Sequence, residues 1–80
     1  MTYKIYIWKG GDDMQISLRA ARVNAELTLI EAAKKIGIGK DTLMKWEKNS
    51  GLVNPIFQER ISAAYDMPID YIFFGPKTRI

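Results

Sequence analysis

The sequence predicts an all-α domain of five helices preceded by a short β-strand arm, and three observations carry that expectation. From Ser17 onward apolar residues recur every three or four positions, the repeat of helices that bury one face. Between Leu27 and Asn49 two such segments flank a glycine-centred turn, Gly37-Ile38-Gly39, which is the layout of a helix-turn-helix. Strict period-two alternation is confined to Thr2–Trp8, so the strand belongs to the N-terminal end. The expected organisation is an arm and hinge over residues 1–13, a helical domain over 14–76, and a basic tail over 77–80.

In the arm, Tyr3, Ile5 and Ile7 lie on one side and Lys4, Tyr6 and Trp8 on the other, a β-branched and aromatic mixture that suits a strand. A single strand is not stable alone, so it must pair with another chain, lie on the domain, or stay disordered. Lys9-Gly10-Gly11-Asp12-Asp13 has turn composition and suits a hinge. The first helix opens at Ser17 as N-cap, repeats Leu18, Ala21 and Ala25 at helical spacing, and closes around Asn24-Ala25-Glu26. Thr28 followed three residues later by Glu31 is a capping box that starts the second helix. Ile30, Ala33 and Ile36 form its expected apolar face, with Lys34 and Lys35 solvated. Gly37 then supplies a left-handed residue at the helix end, and Ile38 plugs the angle between helices.

The third helix, Lys40 to Lys48, is expected to turn Leu43 and Trp46 inward and Lys40, Asp41, Thr42 and Lys45 outward. Ser50-Gly51-Leu52-Val53 is a turn. Asn54 caps the fourth helix with Pro55 at its first position. Ile56, Phe57, Ile61, Ala64 and Tyr65 make its apolar stripe, and Asp66-Met67-Pro68 ends it, because the residue before proline avoids helical geometry. A last helix, Ile69 to Phe74, is expected to bring Tyr71, Ile72, Phe73 and Phe74 to the core before Gly75-Pro76 stops it. Lys77, Thr78 and Arg79 form the tail.

Composition narrows the function. Eighty residues, 48% of them apolar, make one folded core and leave no room for a second. Cysteine and histidine are both absent, which removes thiolate and imidazole metal ligands and the usual general base near neutral pH. Asp12, Asp13 and Glu31 are isolated acids with no nucleophile arrangement beside them, so no enzyme and no cofactor is expected. No apolar run approaches the roughly 18 residues of a membrane span, and no leader opens the chain, so no membrane association and a cytoplasmic location are expected. The net charge is +3. From Lys34 to Lys48 five lysines face two acids, which puts an excess of three on the helix-turn-helix, where a phosphate-binding surface would be needed.

These features together resemble the lambda-repressor-like, Cro-type helix-turn-helix family of small bacterial and phage DNA-binding domains. The resemblance covers Ile16 to Gly75 and rests on Arg22, Leu27-Thr28, Ala33, Gly37, Leu43, Trp46-Glu47 and the ending Ile69-Asp70-Tyr71-Ile72-Phe73-Phe74-Gly75. It implies that Arg22 pairs with Glu47 and joins the first helix to the recognition helix. It also implies base reading by Lys40, Asp41, Thr42 and Lys45, and phosphate contacts by Thr28, Lys48 and Asn49. Two residues depart from the family pattern. Leu29 stands where glutamine commonly reaches a phosphate, and Gly39 where serine or threonine usually caps the third helix.

The function so implied is a sequence-specific transcription regulator of phage, prophage or mobile-element type, bound to operator DNA through the major groove. Its partners are double-stranded DNA and a second copy of the chain, with no small-molecule ligand. The dimer would form through the arm, or alternatively through the last two helices by way of Tyr65, Tyr71 and Phe74. The competing function is a protein-interaction module that keeps the fold without specific DNA binding, which Leu29 favours and the lysines of the third helix oppose.

Overall fold

A computed structural model describes residues 15–75. The expected strand over 2–8, its hinge and the basic tail lie outside those residues. Within them the chain forms four α-helices, α1 (Leu18–Asn24), α2 (Leu29–Ile36), α3 (Lys40–Lys48) and α4 (Pro55–Tyr65), with single 3-10 turns at Ser50–Leu52 and Ile69–Tyr71. Helix α2 packs against both α3 and α4, and α1 lies against the same two helices.

Local chemistry sets most of these boundaries. The Ser17 hydroxyl accepts from the Ala20 amide at 3.0 Å. Thr28 and Glu31 complete the reciprocal capping box: the Thr28 hydroxyl accepts from Glu31 N–H at 3.1 Å, and the Glu31 carboxylate accepts from Thr28 N–H at 2.9 Å. Asn54 accepts from Phe57 N–H at 3.1 Å, and Pro55, which lacks the amide the first turn cannot use, follows it. Gly37 ends α2 with φ +92°, and Asp66 ends α4 in the left-handed region with φ +55°.

The core centres on Leu18, Ile36, Leu43, Ile61 and Ile72, the largest fully buried side chains, with the alanines Ala21, Ala32 and Ala33 where helices approach closely. In α2 and α4, two residues expected in the core face outward instead. Ile30 is 61% exposed and Ile56 is 66% exposed. In α2 the buried stripe is Leu29, Ala32, Ala33 and Ile36, spaced by three and four, and Ile30 sits about 100° off it. In α4 the stripe is Phe57, Ile61, Ala64 and Tyr65, which likewise leaves Ile56 one residue out of phase. Tyr65, expected in that stripe and, only in the alternative dimer, at an interface, is buried at 2% exposure.

The expected fifth helix is also corrected. After Pro68 one 3-10 turn forms, and Ile72 is extended, with φ −107° and ψ 132°. Its backbone pairs in a parallel bridge with Ile16: Ile16 N–H donates to Tyr71 C=O and Phe73 N–H donates to Ile16 C=O, both at 2.9 Å. The Ser50 hydroxyl donates to Phe73 C=O and accepts from Gly75 N–H, each at 3.0 Å. The β-branched and aromatic run from Ile69 to Phe74 therefore finds its hydrogen bonds outside a helix. Ile72 is buried, Phe74 packs on the core, and Tyr71, expected inside, is 40% exposed.

Candidate nucleic-acid interface

Helix α3 is fixed from one side and open on the other. Leu43 is fully buried, and the half-buried Trp46 packs beside it, so the apolar pair spaced by three seats the helix on the core. The Trp46 ring meets Phe57 of α4 at 5.4 Å between centroids, in a tilted geometry that aromatic quadrupoles favour.

An ion pair holds the same face. Arg22 is only 9% exposed, and its Nε donates to Glu47 Oε2 at 2.7 Å while Nη2 donates to Oε1 at 3.3 Å. The third nitrogen, Nη1, donates to the Leu27 carbonyl at 3.0 Å. One guanidinium thus ties α1, the loop into α2, and α3 through its rigid fork. The hydrogen bond that Arg22 donates to Glu47 pushes the Arg22 pKa up, against the opposing effect of burial. Beside the pair lies Tyr65, whose buried hydroxyl has no hydrogen-bond partner among the described residues. Burial raises its pKa, and the negative charge of Glu47 raises it further.

The turn between α2 and α3 has its own anchor, which the sequence did not reveal. Arg60 of α4 donates from Nη1 to the Ile36 carbonyl at 3.1 Å, satisfying an acceptor left open at the end of α2. The same guanidinium sits 5.2 Å from the centre of the Phe57 ring, a cation–π geometry. The one available hint was the spacing of Phe57 and Arg60 by three on one helix.

The outer face of α3 can be mapped at about 100° per residue. Lys40, Met44, Lys48, Asp41 and Lys45 follow one another across an arc of about 140°, and all five are exposed. Thr42 falls beyond the edge of that arc and is half-buried. Of the four expected base readers, then, three share the open arc, and Met44 lies among them. No ion pair with a described residue engages Lys40, Lys45 or Lys48. Gly39 caps α3 with its backbone alone, and no side chain bonds the first-turn amides.

The residues expected at phosphates sit at helix ends. Thr28 is exposed, and because its oxygen already accepts from Glu31, its O–H remains to donate outward. Asn49 spends its carbonyl oxygen on Gly51 N–H at 3.1 Å, which leaves its NH2 as the outward group. Lys48 is exposed on the last turn of α3. Leu29 is half-buried and packed on the core, so it gives the interface no polar group. Among the described residues no helix is long and apolar enough to cross a membrane.

The sequence profile of the helix-turn-helix family, lambda-repressor and Cro-like, matches residues 18–72. Searches of curated proteins and of solved structures return no significant match.

Proposed function

Because the chain belongs to the lambda-repressor and Cro-like helix-turn-helix family and so carries a DNA-binding domain, we propose that it is a sequence-specific transcription regulator of phage, prophage or mobile-element type. It acts in the cytoplasm as a homodimer, laying α3 in the major groove of operator DNA, and it performs no chemistry. The observation that carries this is the two-sidedness of α3. Its inner face is tied down by Leu43, Trp46 and the Arg22–Glu47 pair, while its outer face presents three lysines that form no ion pair with a described residue. Lys40 and Lys45 have donors for guanine O6 and N7, and Asp41 accepts from cytosine N4. Lys48, Thr28 and Asn49 supply the outward donors for phosphate contacts, which set register.

A second function has one observation in its favour. Leu29 and Ile30 make the first turn of α2 apolar, with Ile30 largely exposed, which suits a protein-interaction module better than a phosphate contact. Binding to random duplex over a salt series separates the two. A regulator loses affinity with a log–log slope of roughly −0.9 per phosphate contacted, whereas a protein-interaction module gives no measurable duplex binding at low salt. Selection of a preferred duplex from a random pool then tests sequence specificity.

A further inference from the structure

We infer that Met44 is a base-reading residue, making the apolar contact that recognises the 5-methyl group of thymine in the major groove. This rests on the DNA-binding function proposed above. Met44 is 40% exposed, and it lies on the outer arc of α3 one turn from both Lys40 and Lys48. Every other residue of that arc is charged. The core does not use Met44, since Leu43 and Trp46 make the inward contacts of α3. This methionine among three lysines and an aspartate lies outside the core cluster, and the exposed part of its apolar surface is open to a ligand.

The charged members of the arc have a gap that Met44 fills. Lysine donates to purine acceptors and aspartate accepts from cytosine, but neither registers a methyl group. Thymine alone among the four bases places an apolar group in the major groove. Methionine is unbranched and polarisable, so it can follow the groove floor and settle on a methyl without a fixed hydrogen-bond geometry. The arc thus combines donors, an acceptor and an apolar contact. The same surface would suit a protein partner less well, because burying Met44 there would bury the neighbouring lysines with it.

The test begins with a site selected from random duplex by the full chain. Each thymine is then replaced singly by deoxyuridine, which removes the methyl group and keeps every hydrogen-bonding group. One replacement is expected to weaken the parent about four-fold, the effect of one methyl-sized apolar contact. Met44→Ala is expected to bind the unmodified site about four-fold more weakly and to lose its response to that one replacement, while Met44→Leu retains it. Melting temperatures within a degree or two of the parent will show that both variants fold. A parent indifferent to every replacement, or a Met44→Ala protein with undiminished sensitivity, overturns the assignment and leaves the proposed function standing. A selection that recovers no preferred site overturns the proposed function and the assignment together.

Discussion

Consider what happens when the Arg22–Glu47 pair is broken. Both side chains are 10% exposed and joined by two hydrogen bonds, so little water remains to solvate either charge alone. Arg22→Met strands the Glu47 carboxylate and also removes the donor to Leu27 C=O. The stranded charge costs about 3 to 5 kcal/mol, and the lost carbonyl bond adds about 1 kcal/mol. Glu47→Met strands the guanidinium, which keeps its bond to Leu27, and is expected to cost about 3 kcal/mol. A domain of this size holds only about 5 to 15 kcal/mol in total, so either single change approaches unfolding.

The double variant separates a true pair from two useful charges. With both charges replaced by methionine no unpaired ion remains, and the chief loss is the Leu27 hydrogen bond, about 1 kcal/mol. The double variant should therefore be more stable than either single, with a coupling of about 3 kcal/mol or more. Denaturant unfolding followed by far-UV circular dichroism for the four proteins measures this directly. Single effects that add to within about 0.5 kcal/mol would refute the reasoning, because independent charges add and a desolvated pair does not.

Further outcomes are expected elsewhere. Gly37→Ala forces an L side chain to φ +92°, with its Cβ 3.1 Å from Arg60 Nη1, and should lose about 1 to 3 kcal/mol; Gly39→Ser, at a position open to 4 Å, should gain a few tenths, and equal effects at both glycines in thermal melts would contradict this. Tyr65→Phe removes a buried hydroxyl without a partner among the described residues and at pH 7 should leave stability unchanged or raise it by up to about 1 kcal/mol. Below about pH 10 the phenol is protonated in both states, and above it the unfolded chain ionises first. Stability that Tyr65 supports is therefore lost as pH rises toward the elevated folded value, and the parent should fall more steeply than Tyr65→Phe between pH 10 and 12 by up to about 1.4 kcal/mol per unit; parallel curves would speak against it. Lys45→Ala should change the preferred base at one operator position by about 1 to 3 kcal/mol, while Lys48→Ala should weaken all duplexes alike and reduce the salt slope by about one. Deleting residues 1–13 should lower the dimerisation constant seen in sedimentation equilibrium, and an unchanged constant would remove the arm from the interface.

The helix starts were legible because capping is local chemistry. Ser17, the Thr28–Glu31 box and Asn54-Pro55 each bond within three residues, so their signals survive without knowledge of the fold. Gly37 was legible for the same reason. The phase of a buried stripe is less secure, because in a short helix one apolar residue beside the stripe looks like a member of it; Ile30 and Ile56 were misplaced in this way. The closing segment failed for a different reason. Its bridge to Ile16 and its bonds to Ser50 span 23 residues or more, and no local pattern in Ile69–Phe74 announces them. Arg60 was missed likewise, since its acceptor is a backbone carbonyl 24 residues away.

The same division suits α3 to the reading role proposed for it. Its position depends on three supports that lie on or beside its inner face: Leu43 and Trp46 in the core, Arg22 on Glu47, and Arg60 at the preceding turn. None of these uses Lys40, Asp41, Met44, Lys45 or Lys48. The outer residues are consequently released from folding duties, and substitutions there should alter sequence preference while unfolding curves stay within about 0.5 kcal/mol of the parent. Substitutions on the inner face should do the reverse, weakening every duplex only in proportion to the unfolded fraction. A helix whose two faces answer to different demands in this way can change its operator without renegotiating its fold.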